Sequence, residues 1–282
     1  MTGAGILNPV SLSEKTSPPL WRLIAIGLVA GLLSGAFGVG GGVLIVPALV
    51  VVLGMQQRLA HGTSLAAVVP ISVVGAATYL IGGNVDLGVA GLLMIGTVAG
   101  AIWGVKLLGW LSETWLRWLF IAFMILVAVR MFFEVPNRDA SVELTGWLVL
   151  ILIGLGLLTG VLSGLLGVGG GVFMVPVLIL FLELSDITAK GVSLLVVIPT
   201  GLIATFFSLR KGNVDLRAAS AIGIAGAATT IGGAALAFWL DPMVASILFA
   251  VFLLVIAIRM AIHALLKRKK SQQSQSKGNG NV

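Results

Sequence analysis

Residues 35–50 read GAFGVGGGVLIVPALV, and residues 164–179 read GLLGVGGGVFMVPVLI. Three consecutive glycines thus stand twice in strongly apolar surroundings. Glycine inside a helix costs about 1 kcal/mol relative to alanine, so a run of three marks a place where bare backbone is needed. The segments that follow, 43–54 and 172–183, have 12 apolar-rich residues each. At about 1.5 Å per residue such a helix covers roughly 18 Å, short of a hydrocarbon core of about 30 Å. Each segment is therefore predicted to be a short helix that starts at depth, with GVGGG as the break before it. Non-helical backbone at that depth must be buried in protein or line a wet cavity.

The composition identifies lipid as the solvent. Of 282 residues, 59% are hydrophobic and only 10% are charged, against about 25% charged in a soluble domain. Apolar segments recur at about 20–37, 43–54, 62–81, 87–108 and 115–133, and again at 145–166, 172–183, 191–209, 216–239 and 243–265. A membrane barrel would show short alternating segments instead. The predicted fold class is an all-α polytopic membrane protein. Residues 1–19 form a polar tail without the long apolar core of a cleavable signal peptide, and 134–144 form a charged linker. Residues 266–282 form a basic tail whose composition predicts disorder.

The two halves, 20–133 and 145–265, are one repeat at a constant offset of 129 residues. Ser34 matches Ser163, Pro47 matches Pro176, Ser64 matches Ser193, Pro70 matches Pro199, and GNVDL at 83–87 matches GNVDL at 212–216. Chance likeness between apolar segments does not align Gly, Pro, Ser, Asn and Asp. Five membrane segments per half, or three with a re-entrant glycine pair, invert the second copy; four leave the copies parallel. The basic residues favour inversion. The GNVDL turn of the first half has no Lys or Arg, whereas its counterpart has Arg210, Lys211 and Arg217. The next loop reverses this, with Lys106 and Arg117 in the first half and none near Asp241. Such a swap is what opposite orientation leaves under the positive-inside rule. With ten crossings and both termini inside, 14 of the 17 basic residues fall on the inner side; eight crossings give 13, so the swap carries the inference rather than the totals. The expectation is two homologous halves of about five membrane segments each, inverted, with Gly-broken helices.

A helix N-terminus exposes unpaired N–H groups and about half a positive charge. Glycines let an anion approach those groups closely. Related by a pseudo-twofold axis, Gly40, Gly41 and Gly42 and their counterparts Gly169, Gly170 and Gly171 would face one central anion. Paired interrupted segments are the sequence mark of a transporter site. The competing reading is tight helix packing, which suffices for pairs such as Gly100 and Gly104. GVGGG lacks the Lys-Ser/Thr of a phosphate-binding loop, and no strand precedes it as in a dinucleotide fold.

Other candidates follow from the repeat. The third segments start HGTS (61–64) and KGVS (190–193). Thr63, Ser64 and Ser193 either cap these helices or donate to an anion. His61 and Lys190 either anchor helix ends at the interface or attract an anion; in inverted repeats they would serve opposite entrances. Pro70 and Pro199 kink their helices, as static packing or as parts of a gate. Asn84, Asp86, Asn213 and Asp215 fit turns better than ligation. No Asp or Glu stands in the middle of an apolar segment, and Glu183 is at a segment end. That disfavours cation routes, which commonly use buried carboxylates. There is no cysteine, and His61 and His263 lack ligand spacing, so no metal and no cofactor are expected. The basic excess lies largely in the tail and does not point to nucleic acid.

On GAFGVGGGVLIVPALV, GLLGVGGGVFMVPVLI, HGTS, KGVS and the repeated GNVDL turn, the chain resembles the sulfite exporter TauE/SafE family of membrane permeases over about 20–265. The resemblance implies a bacterial inner-membrane protein with duplicated halves, moving sulfite, organosulfonates or related sulfur anions. KGVS departs from HGTS at Lys190 and Val192, which argues against a strictly symmetric use of those side chains. The expected function is a secondary transporter of a small anion working by alternating access, with export implied by the family and both termini cytoplasmic. Alternatives are a passive anion channel, a permease for another small anion, an intramembrane enzyme, or a structural partner in another complex. The enzyme would have to use Ser34 or Ser163, and no His or Lys is placed to activate either.

Overall fold

The computed structural model describes residues 19–107, 113–133, 146–166 and 169–278. The linker over 134–144 lies outside them. Ten helices are formed among the described residues. They are α1 (Leu20–Phe37), α2 (Gly42–Leu53), α3 (Gln57–Ile81), α4 (Leu87–Leu107), α5 (Glu113–Phe133), α6 (Gly146–Leu166), α7 (Gly171–Leu182), α8 (Asp186–Arg210), α9 (Leu216–Trp239) and α10 (Pro242–Gly278). Six of them, α1, α3, α6, α8, α9 and α10, are by length and composition able to cross a membrane. Large apolar side chains such as Ile81, Leu150, Phe181 and Ile224 face outward, as a lipid solvent permits. Trp21, Trp147 and Trp239 are exposed at helix ends, where aromatic rings sit at the headgroup level.

The α3 and α8 helices start earlier than hydropathy indicates, at Gln57 and Asp186 rather than at His61 and Lys190. Their first turns are polar and therefore invisible to an apolar pattern. Thr63, Ser64 and Ser193 are consequently inside helices and cap nothing. The N-cap of α8 is Ser185, whose Oγ accepts the Thr188 N–H at 3.1 Å. The α10 backbone continues as helix to Gly278, where composition predicts a disordered tail. Lys, Arg and Gln are good helix formers, and extending an existing helix needs no new nucleus.

Running directions are set by which residues meet. On α1, Gly27, Gly31 and Gly35 abut Ile222, Gly226 and Thr230 of α9 in the same order, so these helices are parallel. The counterpart pair repeats this: Gly156 and Gly160 of α6 abut Leu93 and Thr97 of α4. Between the equivalent helices α3 and α8 the order reverses, with Gly75 beside Leu194 and Gly201 beside Val69. Ser246, early in α10, donates to the Met131 carbonyl, late in α5, at 3.3 Å. Equivalent helices thus run antiparallel, and the halves are inverted. They are also interlocked: the first helix of each half packs on the fourth helix of the other.

Glycine makes that interlock possible. A β-carbon added to Gly31 would lie 2.5 Å from the Gly226 carbonyl carbon. Gly31→Leu is therefore expected to pry α1 from α9 and lower stability by at least about 1–3 kcal/mol, the usual cost of overpacking. Thermal unfolding of the purified protein in detergent checks this, with Gly91→Leu, which has open space around it, as the comparison.

Candidate functional site

The chain reverses after α1. Gly38 takes a left-handed conformation (φ 71°) and its N–H closes α1 on the Ser34 carbonyl at 2.7 Å. Gly40 and Gly41 are also left-handed, at φ 73° and 78°. A β-carbon on Gly41, the N-cap of α2, would sit 3.2 Å from the Ala30 carbonyl oxygen, two turns back on α1. The α1–α2 pair is thus a tight helical hairpin. In the second half Gly169 and Gly170 repeat this backbone, at φ 85° and 75°, and a β-carbon on Gly170 would lie 3.3 Å from Ser163 Cβ. Gly167 and Val168 lie outside the described residues.

The two breaks meet. Added β-carbons on Gly40 and Gly169 would both touch Val68 and Val197, at 3.2 Å for Gly40 and 3.6 and 3.7 Å for Gly169. Val68 and Val197 are equivalent residues and stand at the middle of the two 25-residue helices α3 and α8. Gly171 packs on the Val39 backbone, with an added β-carbon at 2.9 Å. The α2 helix leaves this junction toward the side on which α3 starts, and α7 leaves toward the other. Both N-termini, and both positive dipole ends, therefore lie at the same central place. Ser72 and Ser163 bring hydroxyls to it, 3.4 Å and 3.6 Å from β-carbons added to Gly40 and Gly170. Ser34, Ser72, Ser163 and Ser193 are buried with no hydrogen-bond partner on Oγ. Ser64 reaches the Gly42 carbonyl at a long 3.4 Å.

The remaining candidates are placed elsewhere. Thr63 Oγ1 accepts the Asp215 N–H at 2.9 Å, so it fixes the second GNVDL turn. Asp86 and Asp215 accept the N–H groups of Val89 and Ala218, each at 3.0 Å, which is the turn role expected of them. His61 and Lys190 lie seven residues before Val68 and Val197, about 10 Å along antiparallel helices, and so flank the junction from opposite sides. Lys190 is no interfacial anchor: its side chain is 2% exposed and its Nζ lies 3.1 Å from Asp186 Oδ2. Gly38 packs on the Lys190 side chain. Asp186 is buried with it, at the first residue of α8 and ahead of the apolar segment 191–209. An acid four residues before a base is a visible helical pairing, and that spacing could have found it. Pro70 lies inside α3, where it packs on Gly223, and Pro199 lies inside α8. Ser72 had no signal, since its repeat counterpart is Gly201.

Inverted halves that cross the bilayer, with two broken helices meeting at the midpoint, define a multi-pass membrane transporter. The family model described as Sulfite exporter TauE/SafE matches residues 4–131 and 152–281, and the chain belongs to this family. It is similar to two proteins of Bacillus subtilis (strain 168). The probable membrane transporter protein YdhB is 28% identical over 198 residues, covering 68% of this chain and 80% of that one. The probable membrane transporter protein YunE is 26% identical over 219 residues, covering 68% and 79%. A probable membrane transporter protein of Xylella fastidiosa (strain 9a5c) is 30% identical over 196 residues, covering 68% and 75%. No solved structure matches the chain.

Proposed function

We propose that the protein is a secondary transporter that carries a small anion, sulfite or an organosulfonate, out of the cell across a bacterial inner membrane by alternating access. The observation that carries this reading is the meeting of the α2 and α7 N-termini between Val68 and Val197. Backbone N–H groups at a helix start have no intrahelical acceptor. In α2 the ladder begins with Leu44 N–H to the Gly41 carbonyl at 3.0 Å, and in α7 with Phe173 N–H to Gly170 at 3.1 Å. The N–H groups of Gly42, Val43, Gly171 and Val172 precede those ladders and would hold the anion. Gly40, Gly41, Gly169 and Gly170 supply the turns, and Ser64 and Ser193 stand beside them.

His61 and Lys190 would draw the anion in from the two sides, with Lys190 exchanging Asp186 for the substrate. Pro70 and Pro199 each lack an N–H within α3 and α8, and would let these crossed helices bend as access alternates. The family description favours sulfite and export. Orientation follows from charge: of the 17 basic residues, Arg130, Arg138 and Lys190 alone fall on the side opposite the termini, so both termini would be cytoplasmic.

Proteoliposomes loaded with sulfite provide the test. The expected result is saturable efflux, accelerated by sulfite or a sulfonate on the opposite side, as a carrier requires. Efflux that rises linearly with concentration and shows no such exchange would mean a channel. Absence of flux with sulfite, sulfonates, sulfate and thiosulfate, from protein shown to be folded, would sink the anion assignment.

A further inference from the structure

We propose that Ser34, Ser72, Ser163 and Ser193 are specificity-determining donors, which select an oxyanion bearing an SO3-type headgroup over a monatomic anion such as chloride. This rests on the site reading above and names what that site recognises. A hydroxyl in a membrane helix ordinarily donates to the carbonyl three or four residues back. Four threonines here do so: Thr78 to Val74 at 2.8 Å, Thr159 to Leu155 at 2.8 Å, Thr200 to Val196 at 3.0 Å and Thr230 to Gly226 at 2.8 Å. The four serines do not, although each is at most 1% exposed. A buried hydroxyl without a partner costs about 1–3 kcal/mol, a cost that these four threonines avoid and the four serines bear.

Their positions are not scattered. Ser34 and Ser163 are repeat counterparts in the last turns of α1 and α6, just before the glycine breaks. Ser163 Oγ would be 3.6 Å from a β-carbon on Gly170, and Ser72 Oγ 3.4 Å from one on Gly40. Ser193 is the counterpart of Ser64, the residue whose hydroxyl reaches Gly42. A further unpartnered hydroxyl, Thr205, lies eight residues beyond Val197 on α8, about 12 Å along the axis, and serves as the control. Three oxygens on one sulfur offer up to about six lone-pair directions. The backbone N–H groups of the two helix starts would supply some of the donors, and the four serine hydroxyls the rest. Ser72 has no counterpart hydroxyl, because Gly201 stands in its place, so the shell is lopsided and fixes one orientation of a pyramidal headgroup.

The test is alanine substitution of each serine and of Thr205, read by thermal unfolding and by efflux. The sign of the stability change is the discriminating readout. Without anion, each Ser→Ala variant is expected to unfold at the wild-type temperature or above it, since an unsatisfied hydroxyl is removed. With sulfite or methanesulfonate its stabilisation should shrink, and the KM for sulfite should rise about three- to tenfold per residue. The preference for sulfite over chloride should narrow. Thr205→Ala should leave KM unchanged. Serine variants that unfold early yet keep their full response to sulfite would overturn the proposal and return these residues to packing. If wild-type protein is stabilised by none of sulfite, methanesulfonate and chloride, the underlying site reading fails and takes this proposal with it. If sulfite stabilises wild type and the serine variants equally, the serine assignment alone fails.

Discussion

Replacing Gly41 and Gly170 together by alanine is expected to reduce sulfite efflux at least about tenfold, while leaving the protein able to fold. Both residues hold left-handed backbone, at φ 78° and 75°, where an L side chain costs about 1–2 kcal/mol. Space is also short. The new methyl groups would stand 3.2 Å from the Ala30 carbonyl oxygen and 3.0 Å from Thr159 Cγ2. Both turns would have to shift, and the helix N-termini they aim would shift with them. A change of about 1.4 kcal/mol in anion binding is already tenfold. Gly54→Ala separates strain from function. Gly54 is left-handed too, at φ 63°, but a β-carbon there meets nothing within 4 Å. It should lose comparable stability and keep its efflux. Efflux equal to wild type in the double variant would reduce the glycine junction to a packing device.

The second large effect concerns Asp186 and Lys190. With side chains 3% and 2% exposed and 3.1 Å apart, they form an ion pair whose desolvation offsets much of its attraction. Removing one partner is a different matter. Asp186→Asn removes the charge that balances a buried ammonium and is expected to cost about 3–5 kcal/mol of stability, and Asp186→Asn with Lys190→Met should recover most of it. Thermal unfolding in detergent, run on both variants, gives the comparison. Transport then reads the role proposed for Lys190. The double variant should be folded and yet show a several-fold higher KM for sulfite. Wild-type kinetics in that variant would confine the pair to structure.

Much of this arrangement is written in the chain. The constant offset aligns residues of several chemical types, so the duplication needed no structure. The 12-residue length of the segments after GVGGG already made them half-crossings, and the swap of Arg210 and Lys211 against Lys106 already implied inversion. What was hidden has physical causes. Hydropathy does not see polar first turns, so it places the starts of α3 and α8 too late and makes Thr63, Ser64 and Ser193 resemble caps. It also does not see a neutralised charge, so Lys190 looked like an anchor until its partner Asp186 was placed beside it. Ser72 breaks the repeat and so could not be found by repetition. The meeting of Gly40 and Gly169 at Val68 and Val197 depends on how α3 crosses α8, and crossing partners are not local information.

The interlocking of the halves has a consequence for how the protein is made. Gly31 finds its neighbour in Gly226, and 195 residues separate them in the chain. At roughly 5–20 residues per second, the ribosome needs about 10–40 s to deliver α9 after α1. Until then the glycine face of α1 lacks its partner helix, and the junction of the two glycine breaks, which needs α7 and α8, cannot form until late in that interval. Assembly of the working protein is therefore a late, post-insertion event. A nascent chain interrupted anywhere before α9 leaves an unmatched helix in the bilayer for the membrane's quality-control proteases to remove.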